Sequence, residues 1–246
     1  NRNGNYSSRI QTENMNIIEP VMLKELKGTD YESLIKFRIR KILMICSNYD
    51  AFILEEDGQI ESQIYREYID LNISNPPQFV WVQTSAQARE VLNTVVGIDM
   101  VMCMYNVTDK DVFALAKDIK QERPNLPFVL LTHFSKEVYR RLALQDTSAI
   151  DYMFCWHGNA DLIVAIVKLF EDLQNAEHDI LGVGVQAILL VEDSVRYYST
   201  YLPELYKLIL MQTREFLKET LNEQQRKIRQ RSRPKILLAT NLEDAM

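Results

Sequence analysis

Glycine, proline, histidine and cysteine are all scarce in this chain. Seven glycines in 246 residues leave no Gly-rich phosphate loop. Gly182 and Gly184 stand before an apolar run, in a linker, and not after one. Cys46, Cys103 and Cys155 each sit in or beside an apolar run. Their wide spacing fits neither a metal cluster nor a disulfide scaffold, so they read as reduced, buried thiols of a cytoplasmic protein. Cys155 and His157 lie two apart with no acid placed to orient the histidine, which argues against a thiol catalyst. No apolar stretch reaches the length of a membrane helix, and the polar start, Asn1 to Asn14, has no signal-peptide core. A net charge of -6 gives no general attraction to nucleic acid or to an anionic membrane. The basic segment from Arg226 to Lys235 is the local exception and reads as a solvated helix end. The chain lacks an initiator Met, and Leu238 to Met246 reads as a strand entering a helix that is cut off. It is therefore expected to be a fragment of something longer.

What is present is a regular alternation. Residues 1–17 read as a polar leader, and 18–38 carry a weak helical pattern through Leu23, Leu26, Leu34 and Phe37. Then come short, all-apolar runs: Ile42 to Ile45, Phe79 to Val82, Met100 to Met104, Phe128 to Leu131 and Tyr152 to Cys155. Strands without polar positions are covered on both faces. Between and after them the period is helical: Glu61 to Leu71, a helix capped by Thr84 or Ser85 and running through Val96, Val112 to Ile119, Glu137 to Ala143, and Asn159 to Leu173. The last is amphipathic, with Ala160, Ile163, Val164, Ile166, Val167 and Phe170 on its buried side. Five strand–helix alternations predict an α/β fold, a three-layer, doubly wound parallel five-stranded sheet.

The register then restarts. Ile42-Leu-Met-Ile45 followed by Cys46-Ser47 returns as Ile188-Leu-Leu-Val191 followed by Glu192-Asp193. Ile236 to Leu238 is the second strand of this copy, with Thr240 and Glu243 as a candidate capping box. Between these strands, Ser194 to Ile228 has no glycine and a sustained apolar pattern, predicting a long helix that Pro203 kinks or breaks. Its distal half, Glu215 to Gln230, projects beyond a standard domain and is expected to meet a partner. The boundaries are 1–38 for the leader and short helix, 39–176 for the first domain, 177–186 for a linker and 187–246 for the start of a second, truncated copy.

The opening Ile188-Leu-Leu-Val-Glu-Asp-Ser194 resembles the receiver domain of response regulators, the CheY-like fold of two-component systems. Receivers end their first strand in an acidic pair that helps hold Mg²⁺, their third in a phosphoacceptor aspartate, their fourth in Thr or Ser and their fifth in Lys. Carried over residue by residue, the acidic pair of the first unit falls on Cys46 and Ser47 and the phosphoacceptor on Met104. The Thr is kept as Thr132, and the Lys falls on Cys155. Asp151-Tyr152 matches a common Asp-Tyr of the family. A thioether cannot accept a phosphoryl group in this chemistry and is a soft, poor ligand for Mg²⁺. The first unit is thus expected to be a pseudo-receiver without a phosphoacceptor. In the second, Glu192 and Asp193 fit the acidic pair, and two acids alone would hold Mg²⁺ weakly. The acids Asp50, Glu55, Glu56 and Asp57 read as a solvated loop.

The segments Tyr49 to Gly58, Tyr68 to Ser74, Glu177-His-Asp179, Val183 to Gln186, Val195 to Ser199 and Arg233 to Leu238 resemble a Bacteroidetes family. Its members carry paired receiver-like domains ahead of a pyruvate/phosphoenolpyruvate-binding, ATP-binding domain of the phosphoenolpyruvate synthase type. The resemblance implies a cytoplasmic regulatory region with no catalytic residue or cofactor of its own. ATP and any phosphotransferase activity would belong to a C-terminal domain. The partners implied are a second copy, the C-terminal domains, or a cognate histidine kinase. The alternative is a structural or dimerisation module with no phosphorelay role.

Overall fold

The computed structural model describes residues 35–47, 60–70, 76–106, 109–133, 144–156, 158, 160–218 and 232–245. The expected leader helix lies outside them except at 35–38, which are not helical. The acidic loop around Glu55 and the helix Glu137 to Ala143 also fall outside.

The elements are β1 (Lys41–Ile45), α1 (Ile60–Asp70), β2 (Gln78–Val82), α2 (Ser85–Thr94), β3 (Met100–Met104), α3 (Val112–Glu122), β4 (Phe128–Thr132), β5 (Tyr152–Cys155) and α4 (Ala160–Ala176). A π-helical turn (Glu177–Gly182) extends α4 through the stretch expected as a linker, and Gly184 beyond it takes φ +82°, which favours glycine. Then follow β6 (Ala187–Val191), α5 (Val195–Lys218), β7 (Lys235–Ala239) and α6 (Leu242–Ala245). The first five strands form one parallel sheet in the order β2-β1-β3-β4-β5, the doubly wound order of the CheY/flavodoxin-like fold. Every residue of β3 and β4 is buried, as their uninterrupted apolar runs require. One face of the sheet packs on α1 and α4, the other on α2 and α3.

The second unit is a parallel β6–β7 pair. It does not stand apart from the first: α5 and β7 pack on α4, and α5 also packs on β5. Tyr198, Leu202, Tyr206, Ile209, Ile236 and Leu238 join the core formed by α1, α4 and the sheet. Helix α4 is consequently buried nearly all round, including Lys168, Glu171, Asp172 and Asn175. The expected amphipathic helix with one solvent face is corrected to a helix held between two units. Pro203 lies within an unbroken α5. Burial of Tyr198, Leu202 and Tyr206 on either side of it supplies the packing that holds the helix across the lost hydrogen bond.

Buried polar groups join the units. The Asp172 carboxylate accepts both η nitrogens of Arg233 (2.9 and 2.7 Å), the Tyr206 hydroxyl (2.8 Å) and the Ile236 amide (3.0 Å). Asp179 and Lys235, each 0% exposed, pair at 3.0 Å. The same α4 surface holds the chain entering β1: Glu171 accepts from the Ile39 amide, Asn175 bonds Phe37 through both its amide N–H and its backbone carbonyl, and Asp179 accepts from the Ile35 amide. Arg233 and Lys235, expected on a solvated basic segment, are thus buried ion-pair partners. Residues 226–231 of that segment lie outside the described residues.

Tyrosine hydroxyls pin the same joint: Tyr152 donates to the Leu238 carbonyl (2.8 Å), Tyr198 to the Met153 carbonyl and Tyr206 to Asp172. Burial raises the pKa of each, that of Tyr152 to about 12. Between about pH 10, where an unfolded tyrosine ionises, and about 12 the unfolded state binds fewer protons than the folded one. Stability present below pH 10 is therefore lost as pH rises through this window. Absorbance titration should show these phenols ionising late and together with loss of far-ultraviolet dichroism. Independent ionisation near pH 10 with the fold intact would contradict the pinning.

Candidate functional site

In an open parallel sheet, ligands meet the carboxyl ends of the strands. The register aligns Ile45 with Cys103, Met104 with Leu131 and Thr132 with Cys155. Cys46, Ser47, Met104, Thr132 and Cys155 therefore lie at or just beyond the carboxyl ends of their strands. Four of them are buried: Cys46, Met104, Thr132 and Cys155, with Met104 3% exposed. Ser47 is half-buried. The Thr132 hydroxyl donates to the His133 carbonyl (3.2 Å). Burial pushes the Cys155 thiol up, against the opposing influence of Ser199 and Arg196, so it is held as a neutral thiol.

Three described aspartates of the first unit are committed elsewhere. Asp109, on the loop after β3, accepts from the Ser85 amide with both oxygens (2.9 Å each) and from the Ser85 hydroxyl (2.7 Å). It thereby covers the start of α2, whose N-cap is Thr84, accepting from the Gln87 amide. Burial works to raise the Asp109 pKa, but the hydrogen bonds from Ser85 and Ala86 outweigh it and hold the carboxyl below the usual range. Asp118 is engaged by Lys110 and Arg89. Asp99 bonds the Arg40 and Lys41 amides at the opposite end of the sheet. Among the described residues no three His, Cys, Asp or Glu groups converge where a metal could sit. The groups at this edge are thiol, hydroxyl and thioether, and they do not fit a hard divalent cation.

What the sequence did not reveal is that α5 of the second unit reaches this edge. The Ser199 hydroxyl accepts from the Cys155 amide (2.9 Å) and donates to the Val195 carbonyl (2.5 Å). With Tyr198 on the Met153 carbonyl, α5 supplies partners to the outer edge of β5. Edge strands need such cover. The apolar period of α5 was visible in the sequence, whereas Ser199 carried no signal of its partner.

In the second unit Glu192 and Asp193 follow β6 as expected. Glu192 accepts from the Ser194 amide (3.0 Å). The cap of α6 is Asn241, whose side-chain oxygen accepts from the Asp244 amide (2.8 Å), and not the expected Thr240 with Glu243. The ladder explains the difference. The Gln78 amide bonds the Arg40 carbonyl and the Cys46 amide the Val82 carbonyl; in the second unit Lys235 bonds Gln186 and Glu192 bonds Ala239. Positions 78 and 82 thus map to 235 and 239, an offset of 157, which carries the Thr84 cap onto Asn241.

No protein-family model matches the chain, and no curated protein matches it. Several solved structures are similar to part of it. One is the signal receiver domain of an HD domain-containing protein from Pseudomonas fluorescens Pf-5, at 19% identity over 57% of this chain and 97% of that one, with a TM-score of 0.40. Another is the response regulator protein TrrA from Thermotoga maritima in complex with Mg²⁺-BeF, at 18% identity over 52% and 96%, TM-score 0.39. A third is a response regulator receiver domain protein from Clostridium thermocellum, at 15% identity over 56% and 98%, TM-score 0.38.

Proposed function

We propose that this chain is the regulatory region of a larger signalling protein, in which the first unit acts by contact and not by phosphorylation. One observation carries the reading: the strand ends where a receiver would do its chemistry are closed by buried Cys46, Met104, Thr132 and Cys155, and α5 of the second unit bonds the backbone of the last of them. The fold is kept, the charged roles are lost, and the surface beside them is given to a neighbour. The buried pairs Asp172–Arg233 and Asp179–Lys235 tie the two units together through α4 and the π-turn. A bias applied to either is then felt by the other through α4, as packed interfaces with discrete arrangements allow.

In the second unit, Glu192 and Asp193 would supply two oxygen ligands for Mg²⁺ once the unit is complete. That unit would then be the phosphorylated partner, served by a histidine kinase. The output would be an ATP-binding domain of the phosphoenolpyruvate synthase type, C-terminal to the second unit, and the setting the cytoplasm. No helix among the described residues is long and apolar enough to cross a membrane.

The reading is tested with acetyl phosphate and Mg²⁺. The 246-residue chain should gain no phosphoryl adduct by intact mass. In a longer natural chain, adduct formation should be lost in the Glu192→Ala, Asp193→Ala double variant. A Mg²⁺-dependent adduct on the first unit would defeat the proposal. Full labelling of the double variant would remove the role given to the second. A structural or dimerisation module predicts no labelling in any chain, together with a concentration-independent dimer by light scattering.

A further inference from the structure

Helix α5 is apolar on two opposite sides. Tyr198, Leu202, Tyr206, Ile209 and Leu210 are buried in the core it shares with the first unit. On the other side Tyr197, Tyr201, Leu208 and Met211 are each between 47% and 55% exposed. Glu204 and Glu215, also exposed, complete the row. Its steps alternate between four and three residues. At about 100° per residue, that spacing keeps all six positions in one narrow stripe down the helix. It is the spacing of the seam between paired helices. Single exposed apolar residues are ordinary, whereas a contiguous row of them marks an interaction surface. The Tyr197 and Tyr201 rings stack on each other, with centroids 6.0 Å apart and planes at 10°, so the first part of the row is already set as a flat apolar face.

The charges along the row fit a second copy of the same helix. Arg196 is exposed in the first turn, the end of a helix that favours acids, and Glu215 is exposed toward the other end. Between them lie Glu204 and Lys207. The Lys207 side chain is 44% exposed and reaches Asp161 only at 3.5 Å. About a two-fold axis crossing the helix between Leu205 and Tyr206, position 204 lies opposite 207 and position 196 opposite 215. One axis therefore sets both acids against both bases. It also brings Tyr201 within one residue of the partner's Met211. Parallel pairing would instead set Glu204 and Glu215 against their own copies, a like-charge arrangement that works against association. We infer that this face of α5 is a self-complementary surface on which a second copy of the chain docks antiparallel. Tyr201 and Leu208 of each copy form its centre, and the pairs Glu204–Lys207 and Arg196–Glu215 flank it. One pair of 24-residue helices, about 36 Å long, buries less than an obligate interface does, so the dimer dissociates on dilution. The inference goes beyond the regulatory reading and does not depend on whether either unit is phosphorylated.

The test is sedimentation velocity on the 246-residue chain from about 1 μM to about 1 mM, the range in which a small interface associates. It should show a reversible monomer–dimer equilibrium. Tyr201→Glu and Leu208→Glu should each weaken the dimer at least about tenfold. Neither should move the denaturation midpoint of the dilute monomer much, because both side chains are half exposed there. Glu204→Lys should also weaken the dimer, and adding Lys207→Glu should recover the loss. Cross-linking reads the register. The three native cysteines are buried, so mild oxidation reports on introduced thiols. Glu204→Cys, close to the axis, should join two copies. Gln212→Cys, which the axis sets about 20 Å along the helix from its own copy, should not. A chain that stays monomeric throughout would overturn the inference. So would a dimer indifferent to Tyr201→Glu and Leu208→Glu, or equal cross-linking at both positions, the mark of parallel pairing. Failure of the phosphoryl labelling would leave this dimer standing, and a monomeric chain would leave the labelling result standing.

Discussion

Replacing Asp172 with alanine is expected to destabilise the chain by about 3–5 kcal/mol, the largest effect of any single substitution at the joint. The carboxylate accepts four hydrogen bonds from three residues on the second unit. Removing it strands the Arg233 guanidinium, 5% exposed, in a medium that cannot hydrate it. The Pro234 carbonyl (3.0 Å) and the face of the Tyr206 ring (5.5 Å) remain beside it, but neither carries a compensating charge. The Tyr206 hydroxyl and the Ile236 amide lose their acceptor as well. The desolvation cost of such orphaned groups, and not the worth of the pair itself, sets the size of the loss. A diagnostic follows from that distinction. Asp172→Leu combined with Arg233→Met removes both charges, so it should recover much of the stability lost by Asp172→Ala. Tyr206→Phe should cost only about 1 kcal/mol. Urea denaturation of the three variants beside the parent measures this. A double variant no better than the single one would mean that the charges hold the units together by attraction alone.

The joint also marks where sequence reasoning reached and where it stopped. The strands were legible because burial on both faces leaves no polar position in Met100–Met104 or Phe128–Thr132 other than the closing Thr132. Spacing between these runs was enough to give the order of elements. The burial of α4 was not legible. Its Lys168, Glu171, Asp172 and Asn175 read as a solvent face, since charged residues are rarely buried unless paired, and their partners lie up to 138 residues away in sequence. For the same reason Arg233 and Lys235 read as a solvated basic run. The acids in the α4–π-turn stretch and the bases before β7 each look ordinary alone, and only the fold sets them opposite one another. The capping residue failed differently. Thr240, expected in the cap, falls one residue short of Asn241, and a shift of one in a strand register moves every equivalence that follows it.

The candidate site was more legible than the joint, because it is defined by position at strand ends. The apolar end of β3 at Met104 could be read directly, and the structure adds what surrounds it. Helix α5 against β5 had no counterpart in the reading of the first unit by itself, since the contact is made by a hydroxyl from 44 residues further along.

That surrounding gives the second large prediction. Placing a carboxylate at the end of β3 with Met104→Asp should not create phosphoacceptor chemistry, and should destabilise the chain by about 2–5 kcal/mol. Met104 closes β3 with its side chain in the apolar cluster shared by Cys46, Leu131 and Trp156. An aspartate there loses the packing of the thioether and brings a charge into a region whose neighbours supply thiols and hydrocarbon. Its pKa should rise for want of hydration. Stability should then fall as pH rises from about 4, where the unfolded carboxyl ionises, through the raised folded value. Thermal melts between pH 4 and 8 should show the variant approaching the parent at the acid end and losing ground toward neutrality. Beryllofluoride with Mg²⁺ should not shift the midpoint, because Cys46 and Ser47 give the cation no carboxylate. A variant that is equally stable across this range, or that is stabilised by beryllofluoride, would show that water and oxygen ligands reach the strand ends. The first unit would then be an unused receiver rather than a contact surface.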